Sequence, residues 1–318
     1  MDPARDFEQV YASELKPALL SLESRRKRVL RDGLFTFIPA AIAITGLIVF
    51  FKSEQVLPAY IYIISLLVLT VAVYFGIRCY NGNKDYLAAF KQLVMFAVVK
   101  AVDPDLIYKP FESVSEADYK KSGLFKENYD RFRGDDLIQG LRDKTVFCFS
   151  ELHTEEEVKR GKSSSWETIF RGIFFIADFN KDFHGRTYVW NDHDSKLNPL
   201  SNIFSSFDDG LEKIVLESTE FESAFKVYSS DQVEARYILT PSMMERMLRL
   251  RNELNTPVTY SFVDTNIYIA VPFTTELFEP SLFAETGKNK LKGYYETVRA
   301  IISIVDELEL NTRIWTKQ

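Results

Sequence analysis

Two stretches of this sequence, residues 34–51 and 59–77, contain no Asp, Glu, Lys, Arg or His at all. That absence excludes an ordinary surface helix, which needs a polar face for water. Cysteine is almost missing as well: Cys79 and Cys148 are the only two, too few for a disulfide framework and in keeping with a reducing compartment. There is no basic excess, since 39 Lys and Arg face 45 Asp and Glu for a net charge of -6. Nucleic-acid binding is therefore not expected, because it needs a cationic surface. Glycine-rich signatures are missing too. The run Gly161-Lys162-Ser163-Ser164-Ser165 resembles the end of a phosphate loop, yet Glu156 stands where that loop requires its first glycine. No G-x-S-x-G elbow, dinucleotide fingerprint or kinase signature occurs, so no cofactor is implied.

What the charge-free stretches do contain is length. At about 1.5 Å per residue each helix would reach roughly 27–28 Å, close to the ~30 Å hydrocarbon core of a bilayer. They predict a transmembrane hairpin with the lipid bilayer as its first partner. Its orientation follows from Arg25, Arg26, Lys27, Arg28 and Arg31 before the first span and Arg78 after the second, against a lone Lys52 beside Glu54 in the connection. Both termini are predicted on the cytoplasmic side. Tyr60, Tyr62, Tyr74, Phe75 and Tyr80 supply interfacial aromatics, and Pro39 is placed where the first helical turn tolerates it. A cleaved leader is not expected. The first apolar run starts only after residue 33, no small-x-small site follows it, and Arg28 breaks the twin-arginine pattern. Neither span carries an ionisable side chain of the kind that marks a transport route. Thr45-Gly46 and Ser65 are the candidate close contacts between helices.

Around the spans, periodicity assigns the remaining segments. Phe7, Val10, Tyr11, Leu15, Leu19 and Leu22 recur at helical spacing, giving one amphipathic helix or two broken near Pro17. Asn81-Gly82-Asn83 reads as a turn. Beyond it Leu87, Phe90, Val94, Val98 and Ala101 line a stalk helix, whose Lys84, Lys91 and Lys100 form a basic stripe suited either to water or to a membrane surface. Residues 103–134 form a connector with a short helix that Ser113 and Glu116 would cap. Then the period shortens. Residues 144–152, 168–179, 187–190, 213–217, 224–228, 258–263 and 266–271 read as strands, with a loop tip at 161–165 and a hairpin turn at Asp264-Thr265. Thr240 and Pro241 open a helix carrying Met243, Met244, Met247, Leu248 and Leu254, and a last helix covers 288–310. The expected fold class is α+β, with mostly antiparallel strands and flanking helices, because the strands are grouped and do not alternate with helices. The expected organisation is an N-terminal helix at 1–33, a hairpin at 34–80, a stalk at 81–102 and an α+β domain at 103–318.

Chemistry is sparse. The three histidines, His153, His184 and His193, each have acidic neighbours but lack metal-ligand spacing, so no metal site is expected. The weak catalytic candidates are His184, Asp192, His193 and Asp194, since an imidazole between carboxylates could act as a general acid. A polar surface loop explains the same residues.

Several runs resemble a known family. YDRFRGDDLIQG at 129–140, TVFCFSELHTE at 145–155, IFRGIFFIADFNKDFHGRTYV at 169–189, FESAFKVYSSDQVEARYILTPSMMERM at 221–247 and IYIAVPFTTELFEP at 267–280 are similar to the bacterial domain-of-unknown-function family 3137. The stretch 231–241 is the most specific. This resemblance implies a bacterial inner-membrane protein and brings no activity or catalytic residue with it. The combined expectation is a membrane-anchored interaction or scaffold protein whose cytoplasmic domain binds another membrane or cytoplasmic protein, with a homo-oligomer as an option. The alternatives are a membrane-tethered enzyme at the cytoplasmic face, or an accessory subunit of a membrane transport complex.

Overall fold

The computed structural model describes residues 7–52, 59–125, 129–161, 163–179, 182–191, 210–308 and 310. The chain divides into two compact units, Met1–Val102 with Phe278–Tyr295, and Asp103–Leu277 with Glu296–Gln318.

The first unit is a helical hairpin. Helix α1 (Phe7–Val10) continues through a π-helical turn at Tyr11–Leu15 into α2 (Lys16–Lys52). After the connection α3 (Ala59–Phe90) passes through a second π-helical turn at Lys91–Met95 into α4 (Phe96–Val102). Small residues let the two rods approach. A Cβ added at Gly82 would stand 3.2 Å from Val29, one at Gly33 3.6 Å from the Cys79 sulfur, and one at Gly76 3.4 Å from Thr36. The order reverses along the chain, so the helices are antiparallel. Ala43 and Ala72 are buried, whereas a Cβ added at Gly46 would meet no described atom within 4 Å, so among the described residues Gly46 makes no close contact with the second helix. Two helices are long and apolar enough to cross a membrane, and among their described side chains Leu34, Phe37, Ile42, Ile63, Leu66 and Leu67 are exposed.

Three local expectations are resolved here. Of the two forms expected for the N-terminal segment the continuous helix is the observed one, with Pro17 in the first turn of α2 after the π turn. Asn81-Gly82-Asn83 is not a turn. It lies inside α3, where packing of Val29 over Gly82 outweighs local turn preference. Pro39 is an interior residue of α2 and not a first-turn one. The basic stripe is also interrupted, since Lys91 is buried. The remaining segment of this unit, 278–295, packs on the rods: Arg26 donates to the Leu282 carbonyl at 2.7 Å, Phe90 stacks edge-on to Tyr294 and Phe7 meets Tyr295.

The second unit is a nine-stranded antiparallel sheet, in the order β1-β2-β3-β4-β9-β8-β5-β7-β6. The strands are β1 (Ile107–Lys109), β2 (Arg131–Arg142), β3 (Thr145–Arg160), β4 (Ser163–Asp178), β5 (Thr187–Asn191), β6 (Glu212–Ile214), β7 (Phe225–Ser229), β8 (Thr259–Val263) and β9 (Asn266–Pro272). Its helices are α5 (Glu116–Lys121), α6 (Thr219–Ala224), α7 (Gln232–Ile238), α8 (Pro241–Leu254) and the part of α9 (Lys288–Glu307) from Glu296 on. The expected α+β class is observed. β4 is apolar without alternation through its second half, as a strand covered on both faces must be. Phe170, Phe174, Tyr268 and Ala270 face a cluster with Tyr119, Phe125 and Trp190, while Phe175, Ile269 and Val271 are buried elsewhere. Arg142 pairs with Asp306 at 2.7 Å and the Thr145 hydroxyl donates to the Leu310 carbonyl, fastening the chain's C-terminal segment to the sheet.

Strand β2 fell inside and beyond the expected connector. A bulge between Asp135 and Ile138, with Asp136 at φ 57, breaks the alternation that would have revealed it. The expected loop at 161–165 is shorter than read, since β3 ends at Arg160 and β4 begins at Ser163. The α5 cap is Ser115, whose oxygen accepts from the Asp118 amide at 3.0 Å; the expected Ser113 lies two residues too early for a helix beginning at Glu116. Thr240 caps α8 as expected, accepting from Met243 at 3.2 Å. Asp264 adopts the left-handed conformation (φ 54) in the β8–β9 turn, a role glycine or asparagine fills more often.

Candidate functional site

The weak catalytic candidates do not assemble among the described residues. Asp192, His193 and Asp194 lie outside the described residues. His184 sits ahead of β5 with its side chain 90% exposed, and its ring nitrogen is 3.8 Å from Glu234. What holds this loop is its backbone. Glu234, near the start of α7, accepts from the amides of His184 (3.1 Å) and Gly185 (2.8 Å), and the Ser230 hydroxyl accepts from the Arg186 amide at 2.9 Å. Asp231 meanwhile caps α7 by accepting from Val233 and Glu234. A Cβ at Gly185 would stand 3.0 Å from Asp231. The most family-specific stretch, 231–241, therefore caps two successive helices and anchors a loop. Its described side-chain hydrogen bonds serve the fold.

His153 lies on β3, with its ring 3.2 Å from the Thr168 hydroxyl and 3.8 Å from Glu155. Burial lowers its pKa below the usual histidine value, and Arg171 and Arg133 reinforce this against the opposing pull of Glu155. A neutral ring hydrogen-bonded to threonine is suited to holding two strands together. Cys148 is no better a nucleophile, because burial pushes its thiol up to about 11 and leaves almost no thiolate at neutral pH. Among the described residues no three or more of His, Cys, Asp and Glu are placed to hold a metal ion.

Two buried polar features escaped the sequence reading. Tyr108 on β1 donates to Asp136 at 2.5 Å, and burial with the adjacent carboxylate drives the tyrosine pKa upward. The bulge that hid β2 thus delivers a buried carboxylate to a buried phenol. No sequence pattern announces that pair. The second feature is a recess with room for about one water, lined by Leu124, Phe125, Phe170, Trp190, Thr259, Ala270 and Pro272. The Trp190 indole N–H is buried with no partner among the described residues. The recess is too small for a substrate.

The residues expected to set topology cluster in the first unit. Arg25, Lys27, Arg28, Arg31 and Arg78 are exposed, but Arg26 is buried. Arg26 is engaged by Glu23 through two 2.8 Å bonds and by the Leu282 carbonyl, so it serves packing. Asp32 is buried between the rods, 3.7 Å from Arg31 and 3.4 Å from Arg78, and its Oδ1 accepts no hydrogen bond. Arg78 also lies 5.8 Å from the centres of the Tyr74 and Phe75 rings.

Comparison with known proteins adds a family-model match over part of the chain. No curated protein matches the chain. A solved structure, the mycobacterial trehalose monomycolate transport factor A, TtfA, is 8% identical over 64% of this chain and 92% of that one, with a TM-score of 0.33. At that score the likeness carries no argument. Residues 168–310, from β4 through the end of the described chain, match the family described as "Protein of unknown function (DUF3137)", which is the family the sequence resembles.

Proposed function

We propose that this chain is a membrane-anchored interaction protein, fixed in the bilayer by α2 and α3 and presenting its sheet unit to a protein partner on the cytoplasmic side. The observation that supports anchoring is the bareness of the apolar rods. Only 6% of the most apolar window of the second candidate span is buried, and 22% of the first, whereas a core helix of a water-soluble protein would be mostly covered. Lipid is the solvent that such a surface fits. Exposed Arg25, Lys27, Arg28, Arg31 and Arg78 beside the spans favour retention of both termini in the cytoplasm. Recognition is favoured over catalysis by the described polar groups around Glu234, Asp231 and Thr240, which serve loop anchoring and helix caps.

Two measurements test this reading. Membrane-impermeant thiol labelling of intact cells should modify Ser53→Cys and spare Ser24→Cys and Ser163→Cys; the opposite pattern inverts the topology. Affinity purification of the full chain from membranes in mild detergent should then return a stoichiometric protein partner. If instead the triple variant His153→Gln, His184→Gln, His193→Gln abolishes a cellular phenotype at unchanged membrane abundance, the tethered-enzyme reading replaces this one.

A further inference from the structure

We infer that Arg31 and Arg78, held together by Asp32, form a binding site for the phosphate of an anionic phospholipid headgroup. The inference rests on the proposed membrane anchoring. Position comes first. Arg31 is the last cation before the charge-free stretch beginning at Leu34, and Arg78 directly follows the one ending at Ile77. In an antiparallel hairpin this sets both guanidiniums at one edge of the apolar zone, the depth of the headgroups.

Geometry comes second. The two arginines come from different helices and converge on one carboxylate, at 3.7 and 3.4 Å. Asp32 is almost fully enclosed, with 4% of its side chain exposed, while Arg31 and Arg78 are 61% and 42% exposed. A buried carboxylate needs one counter-charge. Here it has two, so the trio keeps a net positive charge at the surface. Arg31 stands beyond hydrogen-bonding distance of Asp32, so its donors are not used up by that contact. The Tyr74 and Phe75 rings beside Arg78 limit its motion. Two guanidiniums fixed on a common anchor match the tetrahedral oxygens of a phosphodiester better than separate lysines would.

Surroundings come third. Arg25 and Arg28 precede Arg31 at three-residue steps and are exposed, extending the cationic row along α2. Leu34 and Ile77, 60% and 58% exposed, lie next to the site and suit the acyl chains of the same lipid. Cationic charge beside an apolar surface selects a lipid over free phosphate, and an anionic lipid over a zwitterionic one.

The full chain, reconstituted in nanodiscs of phosphatidylcholine with a minor share of phosphatidylglycerol and then released into mild detergent, would be examined by native mass spectrometry. The wild type should retain phosphatidylglycerol in preference to phosphatidylcholine, and millimolar inorganic phosphate should not displace it. The triple variant Arg31→Gln, Asp32→Asn, Arg78→Gln leaves no buried charge unpaired and should lose retention about tenfold or more. Asp32→Asn alone should weaken retention by less than the triple variant, because the common anchor is lost while both cations remain. A control, Lys27→Gln, lowers the net charge by the same one unit on the same helix outside the site and should change retention less than about twofold. Equal losses in the triple variant and the control, displacement by inorganic phosphate, or no lipid preference in the wild type would each overturn the site. Extraction of native membranes with alkaline carbonate separates the two ideas: release of the wild type defeats anchoring itself, whereas retention without lipid selectivity defeats only this site.

Discussion

Leu67 on α3 and Leu141 on β2 are equally uncovered, at 62% and 64% exposure, yet the two leucines belong to opposite physical situations. Around Leu67 the sequence is apolar in every direction, with Ile63, Ile64, Leu66, Leu69, Val71 and Val73 exposed beside it. Leu141 lies opposite Val146 on the outer part of a sheet whose core lies elsewhere, with Arg142 as its neighbour. Scattered exposed apolar residues are normal on a protein in water, whereas a continuous apolar surface calls for cover by a partner or by lipid. Exposure of one residue therefore decides nothing; its neighbourhood does. The two units also pack differently. The rods meet through Gly33, Gly76 and Gly82, and the sheet through enclosed aromatics such as Phe149, Phe174 and Phe175.

The largest expected effect lies in the sheet. Gly172 pairs with Pro272 at φ 154, and an added Cβ would stand 2.1 Å from the Val271 carbonyl oxygen. Gly172→Ala should cost at least about 4 kcal/mol, read as loss of the cooperative thermal transition of the full chain in detergent and as rapid proteolysis after β3. An unchanged transition would mean that the β4–β9 pairing is drawn wrongly.

The second test sets the two leucines against each other. Leu67→Arg should weaken membrane insertion by about 2.5–3.5 kcal/mol, measured as the fraction extracted by alkaline carbonate, while Leu141→Arg should change stability by no more than about 0.5 kcal/mol. Equal effects at the two positions would erase the distinction between lipid-facing and water-facing surface.

The smallest effect concerns His153. Its pKa is lowered from 6.5 mainly by burial, so the folded state prefers the neutral ring and the unfolded chain binds protons more readily. The stabilisation is complete above pH 6.5, declines as the pH falls from 6.5 toward the lower folded value, and is flat beneath it. Replacing His153 with Gln should remove a small acid-side drop in melting temperature across that window. A wild-type profile that rises on acidification there would contradict the neutral, threonine-bonded ring.

Legibility from sequence followed the locality of each cause. The charge-free stretches, the Thr240-Pro241 helix start and the strands flanking Asp264 were readable because apolar periodicity, a side-chain cap and a turn residue act within a few positions. β2 was lost where one bulged aspartate shifted its alternation, and α7 was lost because seven residues display too few turns to show a period. The candidate sites were less legible still. Asp32, Arg31 and Arg78 are commonplace residues until two helices bring them together, and Arg26 looks like one more flanking cation until segment 278–295 covers it.

The sequence by itself determined which stretches are apolar throughout and the class of the fold, because apolar content and periodicity are properties of neighbours along the chain. Only the tertiary structure decided that the stalk and spans form continuous rods, that the strand order places β9 between β4 and β8, and that a buried carboxylate holds two arginines at one edge of the apolar zone. Those outcomes depend on contacts between residues tens to more than a hundred positions apart, where the free energy lies in the fit of surfaces that no local pattern encodes.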